Sequence, residues 1–142
     1  GVHHLSGKMT DMYEAARERV RRFIGAEHRE EVVFTAGATA SINLVAYAWS
    51  EKFLHEGDNV VVSEMEHHSN IVPWQLACQR KGAELRVLPF DDEGYLRVDM
   101  LDSLVDERTK LVAVLLFQLV NMNLIVLQLF LCQNLYLKTF QV

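Results

Sequence analysis

Short β-branched runs alternate with helical stretches along most of this chain, and this alternation constrains the fold more than any other feature. The runs predict strands at residues 32–35, 59–63 and 84–89 and from Lys110 onward, and helices at 9–24, 38–49, 71–81 and 98–105. Strands joined by helices need crossover connections, which favour parallel pairing. The sequence therefore predicts an α/β fold, a mainly parallel sheet covered by helices.

Composition excludes several classes of protein. The chain has 142 residues, half of them hydrophobic, and a net charge of -5 with mixed signs. This length suits one domain with a buried core, and the charge offers no basic face for nucleic acid. The two cysteines form no CxxC pair, and no secretory signal is visible. We therefore expect a reducing location, the cytoplasm or, in a eukaryote, an organelle matrix.

Acidic and imidazole groups follow the predicted strand 59–63. Open α/β sheets place their sites at the carboxyl ends of strands, so this is the first place to look for chemistry. Imidazole rings can stack on a flat cofactor and move protons near neutral pH. Adjacent strand residues face opposite ways, so only one of His67 and His68 should face a site. A polar strand end without any site is the alternative.

A second candidate lies where residues 37–39 lead from a predicted strand into a helix. Backbone N–H groups and the helix dipole at such a start favour an anion such as phosphate. Gly37 permits close backbone approach, and the Thr39 hydroxyl could add a hydrogen bond. An ordinary helix cap is the alternative.

Metal binding is not predicted. Glu64, Glu66, His67 and His68 lack the HExxH spacing of zinc sites, and consecutive strand histidines cannot easily share one ion. Cys78, on an apolar helix face, is predicted to be a buried structural thiol. No motif surrounds Cys132.

Residues 66–74 read Glu-His-His-Ser-Asn-Ile-Val-Pro-Trp, and this run resembles the Glu-His-His-x-Asn-Ile-Val-Pro-Trp segment of pyridoxal-phosphate-dependent cysteine desulfurases of the SufS/CsdA type, in the class V aminotransferase family. The Gly-Ala-Thr turn at 37–39, followed by Asn-Leu-Val-Ala at 43–46, is similar to the family's phosphate-binding turn. The resemblance implies part of a fold-type I large domain, with Ala38 and Thr39 contacting pyridoxal phosphate. His67 would stack on the cofactor ring as the catalytic histidine.

The resemblance also implies an activity. A complete enzyme of this type takes sulfur from L-cysteine, giving alanine and an enzyme persulfide, and passes it to a sulfur-acceptor protein for iron–sulfur cluster assembly; a homodimer is expected. Selenocysteine lyase and other class V enzymes share the scaffold. A non-catalytic scaffold with a membrane- or partner-binding tail is the rival from another class.

The composition changes near the end of the matched region. From Leu111 to Val142 the only charged residue is Lys138, and no Gly or Pro occurs. We interpret 1–114 as a partial large domain and 115–142 as a divergent apolar tail, and our hypothesis for the tail is an out-of-frame origin. Its amide side chains disfavour a membrane span. The family's Schiff-base lysine and catalytic cysteine loop have no match here, so we expect the chain alone to be inactive.

Overall fold

The computed structural model describes residues 2–117 and 126–131 of the chain. These fall into two compact units, residues 1–36 and 37–142. The first contains α1 (Val2–Ile24) and a 3₁₀ helix (Arg29–Glu31). The second contains α2 (Ala38–Phe53), β1 (Asn59–Ser63), a 3₁₀ helix (His68–Asn70), α3 (Val72–Lys81), β2 (Glu84–Leu88), a 3₁₀ helix (Val98–Met100), α4 (Leu101–Leu104), β3 (Thr109–Phe117) and β4 (Val126–Leu131).

Two arginines of α1 hold the following loop against the helix in the first unit. Arg17 donates from Nε to the Val32 carbonyl (3.1 Å) and from Nη2 to the Arg29 carbonyl (2.8 Å). Arg21 donates from Nη1 to the Ala26 carbonyl (2.7 Å). These carbonyls accept no hydrogen bond from a described strand, so the arginine side chains satisfy them and hold the chain that leaves the helix.

The predicted strand at 32–35 is wrong. These residues have no regular secondary structure, although the run is β-branched and aromatic. Val32 is buried, but Val33 and Phe34 are exposed, and Phe34 packs edge-on against Tyr13 with ring centroids 5.4 Å apart. Strand propensity reflects packing beside a partner strand, and none of the described strands pairs with this run.

The second unit contains the sheet, whose strand order is β2-β1-β3-β4. β1 pairs in parallel with both β2 and β3, while β4 pairs with β3 antiparallel. The predicted mainly parallel sheet is therefore confirmed. β4 lies within the stretch that we interpret as a divergent tail, and the boundary at Val114 stays a prediction.

Every residue of β1 is buried, so the strand has a core on each face. On one face Val60 and Val62 pack in a cluster that includes Ile42 and Ala46 of α2 and Trp74 of α3. On the other face Val61 packs in a cluster with Leu88 and Val112, which is bordered by partly buried side chains at 96–105. Burial on both faces explains the uninterrupted valine run.

The helix expected at 98–105 is only partly formed. Val98–Met100 is a 3₁₀ turn, and α4 ends at Leu104. A segment this short gains little from helical hydrogen bonds, so its half-buried leucines determine its position.

A polar network closes the amino-terminal end of the sheet. Asn59 Nδ2 donates to Asp106 Oδ1 (2.9 Å), and the Thr109 hydroxyl donates to Asn59 Oδ1 (2.8 Å). Arg86 Nη1 donates to Asp106 Oδ2 (2.7 Å). The network thus joins β1, β2 and the start of β3 at one point, where both Asn59 and Thr109 are buried.

The network predicts a pH-dependent stability. Arg86, and then Asn59, lower the pKa of Asp106 from 3.8 to about 2 through hydrogen bonds to its carboxylate. A lowered pKa stabilises the fold above pH 4, and this stabilisation disappears as the pH falls towards 2. In urea unfolding at pH 6, Asp106→Asn should be less stable than the wild type, and its midpoint should fall less between pH 4 and 2. The exposed neighbour Asp102 supplies the control Asp102→Asn; equal slopes for all three proteins would contradict the prediction.

Candidate functional site

The candidate site lies at the carboxyl end of β1. The strand ends at Ser63, and the chain turns before His67, which caps the 3₁₀ helix His68–Asn70. α3 follows with Pro73 in its first turn, where a missing N–H costs nothing. The strand, turn and helix predicted from the sequence are confirmed here.

A buried polar chain supports this turn from below. The Ser63 hydroxyl donates to Glu66 Oε1 (2.6 Å), and Asn70 Nδ2 donates to Glu66 Oε2 (2.8 Å). Trp74 Nε1 donates to Asn70 Oδ1 (3.0 Å). Glu66 is only 7% exposed and Trp74 is fully buried. A carboxylate this deep needs such donors, because leaving it without them would be costly.

His67 is exposed above the buried chain. Its Nδ1 accepts from the Ser69 backbone N–H (3.2 Å) and lies 2.9 Å from the Ser69 hydroxyl oxygen. A nitrogen that accepts an N–H carries no proton, so the neutral ring holds its hydrogen on Nε2. The exchangeable proton of this histidine is therefore at Nε2.

The expectation that only one of the two histidines faces a site rested on a strand geometry that is absent. Both rings lie beyond the end of β1, both are exposed, and they meet edge-to-face with centroids 6.1 Å apart. The structure distinguishes them differently, since it is His67 that caps the 3₁₀ helix.

The second predicted element lies at the start of α2. Gly37 is the residue before the helix, with φ 151° and ψ 176°, a region open essentially to glycine alone. The Ser41 N–H donates to the Gly37 carbonyl (3.0 Å) as the first helical bond. The amides of Ala38 and Thr39 precede that bond and so have no acceptor within the helix. Such amides suit an anion.

The two elements belong to parts of the fold that are packed together. α2 contacts both α3 and the 3₁₀ helix His68–Asn70. Trp49 of α2 meets Trp74 of α3 edge-to-face, with ring centroids 6.2 Å apart. The helix that begins with Ala38 and Thr39 is thus in contact with the turn that carries His67.

Metal-ligand clusters and thiols are the other candidate groups in the part of the chain that the structure describes. No cluster of three His, Cys, Asp or Glu side chains there could hold a metal ion. Cys78 is buried, and burial raises the pKa of its thiol to about 11. Cys132 lies outside the described residues. Among residues 2–117 and 126–131, no helix is long and apolar enough to cross a bilayer.

The sequence matches the model of the aminotransferase class-V family over residues 1–121. The chain belongs to this family. A cysteine desulfurase of Cronobacter sakazakii is 55% identical over 114 residues, and one of Salmonella typhimurium is 51% identical; each match covers 80% of this chain. The chain spans 28% of the length of these relatives.

Solved structures agree with this family assignment. The apo cysteine desulfurase of Thermococcus onnurineus matches 80% of this chain and 28% of its own, with a TM-score of 0.69 and 41% identity. The cysteine desulfurase CsdA of Escherichia coli matches 73% of this chain and 26% of its own, with a TM-score of 0.62 and 40% identity. These neighbours confirm the expected fold, part of a fold-type I large domain.

Sequence reasoning missed the role of Glu66, which it considered only as a possible metal ligand. The signal was present in the spacing, because Glu66, Asn70 and Trp74 follow one another at intervals of four residues. That interval places side chains on one face of a helical turn. The missing information was that this face turns inward.

The Gly37 conformation gives a test of the turn. Because an added Cβ at Gly37 would meet nothing within 4 Å, Gly37→Ala should destabilise the fold through backbone strain alone, by about 1–3 kcal/mol. Gly7, inside α1 and also without close neighbours, is the matched control; Gly7→Ala should stabilise by about 0.5–1 kcal/mol. Urea unfolding measures both, and effects of equal sign would contradict the assignment.

The raised pKa of Cys78 predicts an unreactive thiol. In the native protein at pH 8, iodoacetamide should leave Cys78 unmodified, because little thiolate exists and the side chain is buried. Gln79→Cys, which places a thiol at the exposed neighbouring position, should be alkylated there at a rate typical of a free cysteine. Peptide mass spectrometry distinguishes the two sites; equal labelling would refute the prediction.

Proposed function

We propose that this chain carries part of the pyridoxal phosphate site of a cysteine desulfurase. The N-terminus of α2 binds the phosphate through the backbone at Ala38 and Thr39, and His67 stacks on the pyridine ring as the catalytic histidine. The observation that carries the proposal is the Gly37 turn, because a glycine-only conformation opens the start of a helix that contacts the His67 segment.

The residues at this turn fit a phosphate group. Nothing lies within 4 Å of the point where a Cβ of Gly37 would be, so the backbone there is open on that side. The amides at 38–40 point to that end of the helix, where the dipole favours negative charge. Ala40, where the family usually has Glu, removes no backbone donor.

His67 fits the role of a ring that stacks and exchanges a proton. It is exposed on its outer side, while Ser69 holds Nδ1 from within. Bound pyridoxal phosphate would supply an electron sink for the substrate's bonds. His67 would contribute a flat aromatic face and one mobile proton, carried at Nε2.

We extend the proposal to the whole protein, since the relatives named above are cysteine desulfurases. The complete enzyme would break the C–S bond of L-cysteine, release alanine and keep the sulfur as a persulfide on an enzyme cysteine. A sulfur-acceptor protein would then take it for iron–sulfur cluster assembly, in the cytoplasm or an organelle matrix, and the enzyme would be a homodimer.

Two features of the chain belong to the same proposal. Residues 1–114 would form the family part and 115–142 the divergent tail. The Schiff-base lysine and the persulfide-forming cysteine would come from segments of the complete enzyme that have no match in these 142 residues, so this chain alone would not turn over cysteine.

Pyridoxine 5′-phosphate tests the binding half of the proposal, because it has the ring and phosphate but no aldehyde to react with stray lysines. In calorimetric titration the full chain should bind it, and pyridoxine without phosphate should bind far more weakly. His67→Ala should reduce the affinity roughly threefold to tenfold, the range expected for a lost aromatic contact.

His68→Ala is the matched control, because His68 is adjacent and is also exposed. Its affinity should equal that of the wild type. Equal losses in both variants, or no binding by a folded wild-type chain, would refute the assignment of His67.

A further inference from the structure

We propose that Glu66, Asn70 and Trp74 are positioning residues for His67, and that they also tie it to the helix that holds the phosphate. The inference rests on the proposed function, because it concerns how His67 is placed to stack on the cofactor ring. It is carried by the buried hydrogen-bonded chain that runs beneath an exposed imidazole.

The buried hydrogen bonds enclose the segment that carries His67 from both sides. Glu66 precedes His67, and its side chain bonds to that of Asn70, so one bond of 2.8 Å encloses the three residues between them. Within this loop the Asn70 N–H donates to the His67 carbonyl (2.8 Å). Three exposed or half-buried residues are thus fixed between two buried ones.

Each buried group is in turn fixed by a regular element. Glu66 bonds twice to Ser63, the last residue of β1: its backbone N–H donates to the Ser63 carbonyl (3.3 Å), and its carboxylate accepts from the Ser63 hydroxyl. Asn70 accepts from Trp74, which is fully buried in α3. Sites supported by strands and helices hold their geometry better than sites on free loops.

Trp74 extends the connection to the other half of the site. Its ring meets Trp49 edge-to-face at 6.2 Å, and Trp49 lies on α2. The elements that carry Ala38, Thr39 and His67 are therefore joined through packed side chains. A cofactor that touches both needs them at a fixed separation, because small misplacement of a reacting group is costly.

Asn70→Asp is the sharpest disruption. It keeps an oxygen for Trp74 but replaces the donor to Glu66 by a second carboxylate, so a hydrogen bond becomes a like-charge contact. The Ser69 amide reports on His67 directly, because it donates to Nδ1. Amide hydrogen exchange at Ser69 and Asn70 should accelerate roughly tenfold or more relative to Val61 in β1, as expected for a lost charge-assisted bond.

Two further variants complete the experiment. Glu66→Gln can still accept from Asn70 and can donate to the Ser63 hydroxyl, so the exchange ratio should stay within about twofold of the wild type. Glu64→Gln, at an exposed carboxylate outside the chain of bonds, should leave the ratio unchanged. Should Asn70→Asp not fold, Trp74→Phe, which deletes the indole donor, takes its place and should raise the same ratio.

The exchange ratio separates positioning from general stability, because global destabilisation accelerates exchange at the buried Val61 at least as much as at Ser69 and Asn70, and so cannot raise the ratio. A ratio that does not change in Asn70→Asp would overturn the inference, whatever happens to ligand affinity. A selective rise, together with weaker binding of pyridoxine 5′-phosphate, is the expected result. A selective rise in a chain whose wild type does not bind that ligand would support the positioning and reject the proposed function.

Discussion

The burial of β1 on both faces is the constraint on which the second unit depends. A strand with valines on each side needs two covers, and the structure supplies α2 and α3 on one face and the segment around α4 on the other. Parallel partners on both edges then require crossover connections. The polar residues that follow Ser63 consequently emerge at the edge where the helices begin, which is where a ligand can reach them.

The site combines an exposed reacting ring with a buried support, and the two have opposite requirements. An imidazole must meet solvent or a ligand to exchange a proton, whereas a carboxylate that fixes geometry works best where water does not compete. Glu66 and His67 are adjacent in sequence and differ in this respect, since one is 7% exposed and the other lies at the surface. Ser63 and Asn70 offset the cost of burying the Glu66 carboxylate by donating hydrogen bonds to its two oxygens.

Local patterns predicted β1, α3 and β2 well, because these elements are regular. β1, α3 and β2 begin or end within one residue of the expected positions. The strand expected at 32–35 failed because β propensity counts only beside a partner strand. The placement of His67 on a 3₁₀ cap, and the inward turn of Glu66, depend on a bond across four residues to Asn70 and on the depth of Trp74. Neither can be read from periodicity.

The network around Asn59 has a consequence for the opposite end of β1. The three successive valines of β1 leave its register ambiguous. If the strand slid by one residue past β3, one valine would replace another at the middle of the ladder. Hydrophobicity alone would tolerate that error, but Asn59 would lose both Asp106 and Thr109. A slip of one residue would also move Glu66 and His67 by about 3.3 Å along the strand axis. The side-chain amide of Asn59, at the start of β1, therefore determines how far His67 projects beyond the carboxyl end of the strand.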